Sequence, residues 1–387
     1  IFFSEPVSAR VARQFGSVLI TETMERRPEI GFASYDRLFP NQDIMPLGGF
    51  GNLIALPLQN TARKAGNSVF VDAGMRPYDD QWAYLSSLPR LSAAAVTKLV
   101  EAAELSGRIL GVRMPVDDEQ ADEPWKMTPS RRSTARRLDV PVPPTIKVTI
   151  ADQIYIDRSE LPSAMVAQLV RLAAFQNPEF YRAQAMRLPT FGKPRIVSCA
   201  ELHPRHVALP RGSFDEVVGF LSDHGVRAEL DDLREDGTRL PETVCFRGEL
   251  RQQQSRAFEA LAEHDTGVLA ATTAFGKTVV ASALIARRAS NTLVLVHRRE
   301  LLSQWIERLK SFLQIDPKQI GTIGAGKRKP TGVIDVALIQ SLVRKGEVDA
   351  IVADYGHLVV DECHHLSAAS FELVARRSKA RYVTGLS

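Results

Sequence analysis

The chain has 387 residues, 44% of them hydrophobic and 24% charged, with a net charge of +4; this is an ordinary globular balance with room for two or three domains. No apolar run reaches membrane-spanning length and Ile1 opens no basic-then-apolar leader, so neither a membrane protein nor a secreted one is expected. Cys199, Cys245 and Cys363 are scattered and fit neither a disulfide framework nor a zinc site, which points to a reducing, cytoplasmic interior, while the small positive charge is compatible with nucleic acid without arguing for it.

Residues 1–110 mix short apolar segments with glycine-rich turns. In "SYDRLFPNQDIMPLGGFGNLIALPLQNTARKAGNSVFVD", Asp36 and Asp43 precede a glycine turn, a strand-like "NLIALPL", the basic pair Arg63 and Lys64, and a second strand-like "SVFVD". A carboxylate beside strands and basic residues suits a metal and a nucleoside triphosphate; turns are also rich in aspartate for conformational reasons alone.

From 111 to 144 the sequence runs acidic ("DDEQADEP"), then basic ("RRSTARR"), then proline-rich ("VPVPP"). Few of these residues build a core, so a solvated linker is expected. From 145 to 245, "TIKVTIADQIYID" alternates as strands do, "MVAQLVRLAAF" has helical spacing, and "FDEVVGFLSDHGV" reads as a helix ended by Gly225. These make a small mixed α/β domain.

From 246 to 387 the rhythm becomes strand, helix, strand. "GVLAATT", "NTLVLVH", "IDVALI" and "HLVVDE" are buried-type strands, and "KTVVASALIARRA" and "RRELLSQWIERLKSFL" are helices. The second helix places Leu301, Leu302, Trp305, Ile306, Leu309, Phe312 and Leu313 on one face. Such alternation predicts an α/β fold, a parallel sheet with helices on both faces.

"ATTAFGKT" has the parts of a phosphate-binding loop: a strand before it, a helix after it, Gly276 at the turn, then Lys277 and Thr278. Backbone N–H groups and a helix N-terminus face the phosphates, while the lysine and the hydroxyl reach the phosphates and Mg²⁺. Ala271 stands at the usual opening glycine and is tolerable where no positive φ is needed. The loop's expected contacts are Thr272, Thr273, Ala274, Phe275, Gly276, Lys277 and Thr278. "LVVDECHH" ends a buried strand with Asp361 and Glu362, 84 residues beyond Lys277. Asp361 would hold Mg²⁺ largely through water and Glu362 would orient and deprotonate the attacking water. Zinc at Cys363, His364 and His365 is not expected, because adjacent side chains diverge and no fourth ligand has suitable spacing. ATP and Mg²⁺ are the expected cofactors.

"ATTAFGKT" with "DECH" resembles the superfamily 2 helicases of DEAH/DExH type, and the resemblance runs from Leu250 to Ser387. It implies a RecA-like ATP-binding domain, with Gln254 of "LRQQQ" reading adenine. It also implies nucleic-acid contacts at Arg298, Arg299 and Gln304 in "VLVHRRELLSQW" and at Gln340 and Ser341 in "IDVALIQSL". In "TGLS", Thr384 and Ser387 would act with His364 to couple ATP to nucleic acid. Ala274 departs from the pattern, which has glycine there. The front of the chain resembles the primase-like domain of TOTE conflict systems, through "YDRLFPNQD", "GGFGNLIALPLQ", "GNSVFVD" and "DQWAYLSSL". That resemblance implies an α+β primase-like domain with Asp36, and second Asp43, as a metal carboxylate. "FQNPEFYRAQAMRLPTFGKPRIV" and "LPRG" resemble the intervening region of the same fusion. The family places further metal ligands before "IFF" and a second RecA-like domain after "TGLS", so a fragment at both ends is expected. The expected activity is ATP-driven movement on DNA or RNA, with a nucleic-acid-binding ATP switch as the alternative.

Overall fold

A computed structural model describes residues 1–27, 29–35, 38–39, 56–105, 141–186, 188–272, 274–365 and 369–387. The expected metal carboxylates Asp36 and Asp43, the loop residue Thr273 and most of the linker lie outside them. The chain divides into two compact units, 1–142 with 160–200 and 143–159 with 201–387. Residues 160–200 therefore pack away from their neighbours in sequence, and the stretch 145–245 is shared between both units.

In the first unit, helix Ala9–Arg26 packs against helices Ala93–Leu105 and Ser163–Leu172. Phe15, Val96 and Val100 form one small core, and Met24, Tyr35, Ala174 and Ile196 another. Buried Tyr35 shares a 2.7 Å hydrogen bond with Thr21. The end of the "MVAQLVRLAAF" run leaves the helix at Leu172 and enters a short strand, Ala174–Gln176, paired with Ile196–Ser198.

Besides a short hairpin of Val343–Arg344 and Glu347–Val348, the second unit holds two sheets. The smaller runs in the order Glu201–Leu202, His206–Leu209, Ile154–Asp157, Thr145–Ile150, Arg227–Asp232. Its last two strands are parallel and helix Phe214–Asp223 packs on Arg227–Asp232.

The larger sheet is made from the C-terminal region. Its elements in chain order are α1 (Gln252–Ala262), β1 (Thr266–Leu269), α2 (Lys277–Arg288), β2 (Thr292–Val296), α3 (Arg299–Phe312), β3 (Ile320–Gly324), β4 (Lys327–Lys329), β5 (Ile334–Leu338), β6 (His357–Val360), α4 (Ala369–Arg377) and β7 (Tyr382–Leu386). The strand order is β4-β3-β5-β2-β6-β7-β1, parallel except for the edge hairpin β3–β4. All five residues of β2 are buried. Val294 and Val296 face a core shared with α1, α2 and α3, whereas Leu293 and Leu295 face a second core that includes Val374 of α4. Strands covered on both faces are apolar at nearly every position, which is why they read as near-continuous runs instead of alternating ones.

On α3, Leu302, Trp305 and Leu309 are buried, as is Leu313 just past its end, and Leu301 and Ile306 pack at the margin. Among the described residues no helix is long and apolar enough to cross a membrane, and the three cysteines are free.

Candidate nucleotide site

The loop that leaves β1 sits at the carboxyl ends of the parallel strands, where open α/β sheets bind ligands. Its entry is pinned to β7: the Ala271 amide donates to the Ser387 carbonyl and the Ser387 amide to the Leu269 carbonyl, both at 2.9 Å. Ala271 is not among the residues with positive φ, so alanine fits there without strain. Ala274, by contrast, has φ 69°, and it stands where the resemblance has glycine. Gly276 caps α2 with φ 91° and ψ 41°. Its carbonyl accepts from the Val279 and Val280 amides. A Cβ at Gly276 would lie 2.5 Å from Nε2 of Gln254, so glycine is required there by both conformation and space.

Gln254 is 4% exposed and its amide is used within the protein. Its Nε2 donates to the Phe275 carbonyl at 2.8 Å, and its Oε1 accepts from the Arg251 amide at 2.9 Å. The Arg251 guanidinium also donates to the Phe275 carbonyl. The start of α1 thus latches the phosphate loop directly. That latch was not anticipated from sequence, although "LRQQQ" was.

Across the loop, β6 delivers Asp361 and Glu362. Asp361 is nearly buried; its Oδ2 accepts the indole N–H of Trp305 at 2.8 Å, and its Oδ1 accepts the Glu362 amide at 3.1 Å. Burial holds its carboxyl above the ordinary aspartate range, with the Trp305 hydrogen bond opposing that effect. Glu362 has φ 51°, so its backbone turns out of the strand at once. One of its oxygens lies 3.6 Å from the Lys277 ammonium and the other 3.4 Å from Nδ1 of His364. His364 Nδ1 is 3.1 Å from the Ser387 hydroxyl. A polar line therefore runs Lys277, Glu362, His364, Ser387, from the start of α2 to the end of β7.

Thr384 does not join it. Its hydroxyl is fully buried and accepts from the Arg288 guanidinium at 2.7 Å, with Nε2 of His357 at 3.2 Å. The reason is the period of two along β7: Gly385 separates it from Leu386, and the strand's alternation turns Thr384 inward to α2. Arg298, Arg299 and Gln304 are exposed at and along the start of α3, and Gln340 and Ser341 are exposed just past β5. Gln340 Nε2 donates to the His297 carbonyl at 3.3 Å, which joins the loops after β5 and β2.

The donor set fits a magnesium nucleotide. Gly276 has no side chain with which to cap α2 and the first turn holds no acidic residue, so the start of the helix is open to an anion, beside the Glu362 carboxylate that meets Lys277. Lys277 supplies an ammonium, Thr278 a hydroxyl, and Asp361 and Glu362 carboxylates. Among the described residues no group of three or more His, Cys, Asp or Glu is placed to hold a metal by itself. Mg²⁺ commonly takes only one or two carboxylates, with waters and phosphate oxygens filling the rest.

Comparison with known proteins gives two separate matches. Residues 1–99 match the family described as "TOTE conflict system, Archaeo-Eukaryotic Primase domain", and residues 247–387 match "Type III restriction enzyme, res subunit". The chain thus carries two separately matched regions, a front one similar to the TOTE-type primase domain and a C-terminal one similar to the res subunit of Type III restriction enzymes. A putative ATP-dependent RNA helicase, L396, of Acanthamoeba polyphaga mimivirus is 30% identical over 37% of this chain and 28% of its own length. The DNA 3'-5' translocase XPB2 of Sulfurisphaera tokodaii is 30% identical over 36% of this chain and 30% of its own length. The chain therefore matches less than a third of either relative. Among solved structures, the UvsW helicase of bacteriophage T4 is 19% identical with a TM-score of 0.47, over 62% of this chain and 91% of that one.

Proposed function

We propose that this chain carries the ATP-binding domain, with an attached primase-like part, of an enzyme that hydrolyses ATP to move along DNA or RNA. The observation that carries this reading is the meeting of Lys277 and Glu362, 3.6 Å apart, at the helix N-terminus that follows β1. A division by role goes with it: 1–110 primase-like, 111–144 linker, 145–245 an accessory region whose residues 160–200 belong to the first compact unit, 246–387 helicase-type ATP-binding. The site lies in the cytoplasm on this reading, which agrees with free cysteines.

In this mechanism Lys277 and the first-turn amides of α2 neutralise phosphate charge. Thr278 and Asp361 would hold Mg²⁺, Asp361 largely through water. Bound Mg²⁺ supplies further charge neutralisation on the phosphate oxygens. Glu362 orients the attacking water and takes its proton. His364 and Ser387 link that glutamate to the end of β7, and Gln254, beside the loop, reads adenine by exchanging one of its present partners. Arg298, Arg299, Gln304, Gln340 and Ser341 contact a nucleic-acid backbone. In the primase-like part, Asp36 is the metal carboxylate, with Asp43 as the second candidate for that role.

The test is ATP turnover by the longest natural form of the protein, with and without single-stranded or duplex DNA and RNA. Stimulation that falls steeply as salt rises supports phosphate contacts. ATP binding with no turnover under any of these conditions favours a switch protein instead. On the primase side, Asp36→Asn should abolish nucleotide incorporation and leave ATP hydrolysis intact.

A further inference from the structure

We propose that Trp305 is a positioning residue for the nucleotide site, whose indole N–H fixes the orientation of the Asp361 carboxylate. The inference rests on the reading above, in which Asp361 holds the metal through water. Trp305 lies on the buried face of α3 between Leu302 and Leu309 and is 2% exposed. Its Nε1 donates to Oδ2 of Asp361 at 2.8 Å, a contact spanning 56 residues of sequence. The other oxygen, Oδ1, accepts the Glu362 amide at 3.1 Å.

A carboxylate offers about four lone-pair sites. Here one site on each oxygen is taken, and one on each remains. With both oxygens held, the group cannot turn about its last torsion without breaking a hydrogen bond. The remaining lone pairs are therefore aimed in fixed directions before any ligand arrives, which is what a water-mediated metal contact needs. An indole N–H buried in a core needs some acceptor. A backbone carbonyl would satisfy it equally well for folding alone; the use of the one buried carboxylate at the end of β6 gives the contact its functional weight. Partners of this kind typically govern metal affinity by 10- to 100-fold, by roughly that order.

The test uses the full chain. Trp305→Phe keeps an aromatic ring in the core and removes the donor. Mn²⁺ binding is followed by electron paramagnetic resonance at saturating ADP, and ADP binding is measured separately in EDTA. The expected result is Mn²⁺ affinity weakened about tenfold with ADP affinity in EDTA unchanged. In an Asp361→Asn background the same substitution should change Mn²⁺ binding by less than about twofold, because coupled residues are non-additive. Mn²⁺ affinity equal to wild type in Trp305→Phe, or an undiminished loss in the Asp361→Asn background, overturns the inference. A wild-type chain with no ADP-dependent Mn²⁺ binding overturns the nucleotide-site reading itself, which separates the two failures. Should Trp305→Phe not fold, the wild-type indole resonance of Trp305 decides, assigned with Trp82→Phe and Trp125→Phe chains. It should move when Mg²⁺ is added to the ADP-bound protein and stay in place in Asp361→Asn; a stationary wild-type peak overturns the inference.

Discussion

The Lys277 ammonium lies 3.6 Å from a Glu362 carboxylate oxygen, and the two side chains are only 17% and 31% exposed. A lysine at the N-terminus of a helix sits against the positive end of the dipole, so it needs a nearby anion. Glu362 fills that role here, and a nucleotide phosphate would take it over. Lys277→Ala should therefore weaken nucleotide binding at least tenfold, about 1.4 kcal/mol. Titration with a fluorescent ADP analogue checks this, and an unchanged affinity would rule out the loop as a phosphate site.

Glu362 has a different task. Its glutamine variant keeps the shape and one acceptor oxygen, turns the other end into an NH₂ donor, and cannot accept a proton. Glu362→Gln should bind nucleotide as tightly as wild type and lose turnover by about 100-fold or more, the usual scale of general-base loss. Turnover near the wild-type rate would assign water activation to another residue.

The phosphate loop contains two left-handed positions with opposite sequence solutions. Gly276 has φ 91° and no room for a side chain beside Gln254, whereas Ala274 has φ 69° and is exposed. Gly276→Ala should cost more than about 1 kcal/mol of stability, from the left-handed penalty and the displaced Gln254 amide. Ala274→Gly relieves a similar penalty but loosens the unfolded chain by about 0.4–1 kcal/mol, for a net gain below about 1 kcal/mol. Urea unfolding of both variants tests the pair; a loss of stability in Ala274→Gly would mean the alanine is not strained.

Much of the larger sheet was legible because strands covered on both faces are apolar at most positions, so β2, β5 and β6 stand out as runs although each holds one buried polar residue, Thr292, Asp335 and His357. The Asp-Glu pair was legible because it follows such a strand; the glycine-lysine-threonine run follows β1, an edge strand with Val268 exposed, and was legible from its own residue pattern. Features that depend on distant contacts were not. Helical spacing placed Trp305 on the buried face of α3, yet nothing local says that its N–H meets Asp361. Thr384 and Ser387 look equivalent in "TGLS", but alternation along β7 sends Thr384 to Arg288 and leaves Ser387 beside His364. The division of 145–245 between two compact units was likewise invisible, since each of its helices and strands is locally ordinary.

His357 gives the fold a defined response to acid. It is fully buried on β6, and its Nε2 faces the Arg288 guanidinium at 2.8 Å. Arginine can only donate, so Nε2 must be the acceptor and the ring proton sits on Nδ1, near the Thr292 hydroxyl at 3.5 Å. A second proton would add charge in a buried site beside a cation. Burial first, and Arg288 second, accordingly push His357 well below the ordinary histidine value of 6.5. The unfolded chain then binds a proton that the folded chain refuses, so stability is full above that ordinary value and declines as pH falls below it. The slope attributable to this one group is at most about 1.4 kcal/mol per pH unit. His357→Gln keeps an acceptor for Arg288 without a titrating ring. Its urea midpoint should change less between about pH 7 and pH 5 than that of the wild type, whatever its absolute stability. Identical pH slopes for the two chains would show that the folded chain protonates His357 as readily as the unfolded one does, and that Nε2 is not held as an acceptor for Arg288.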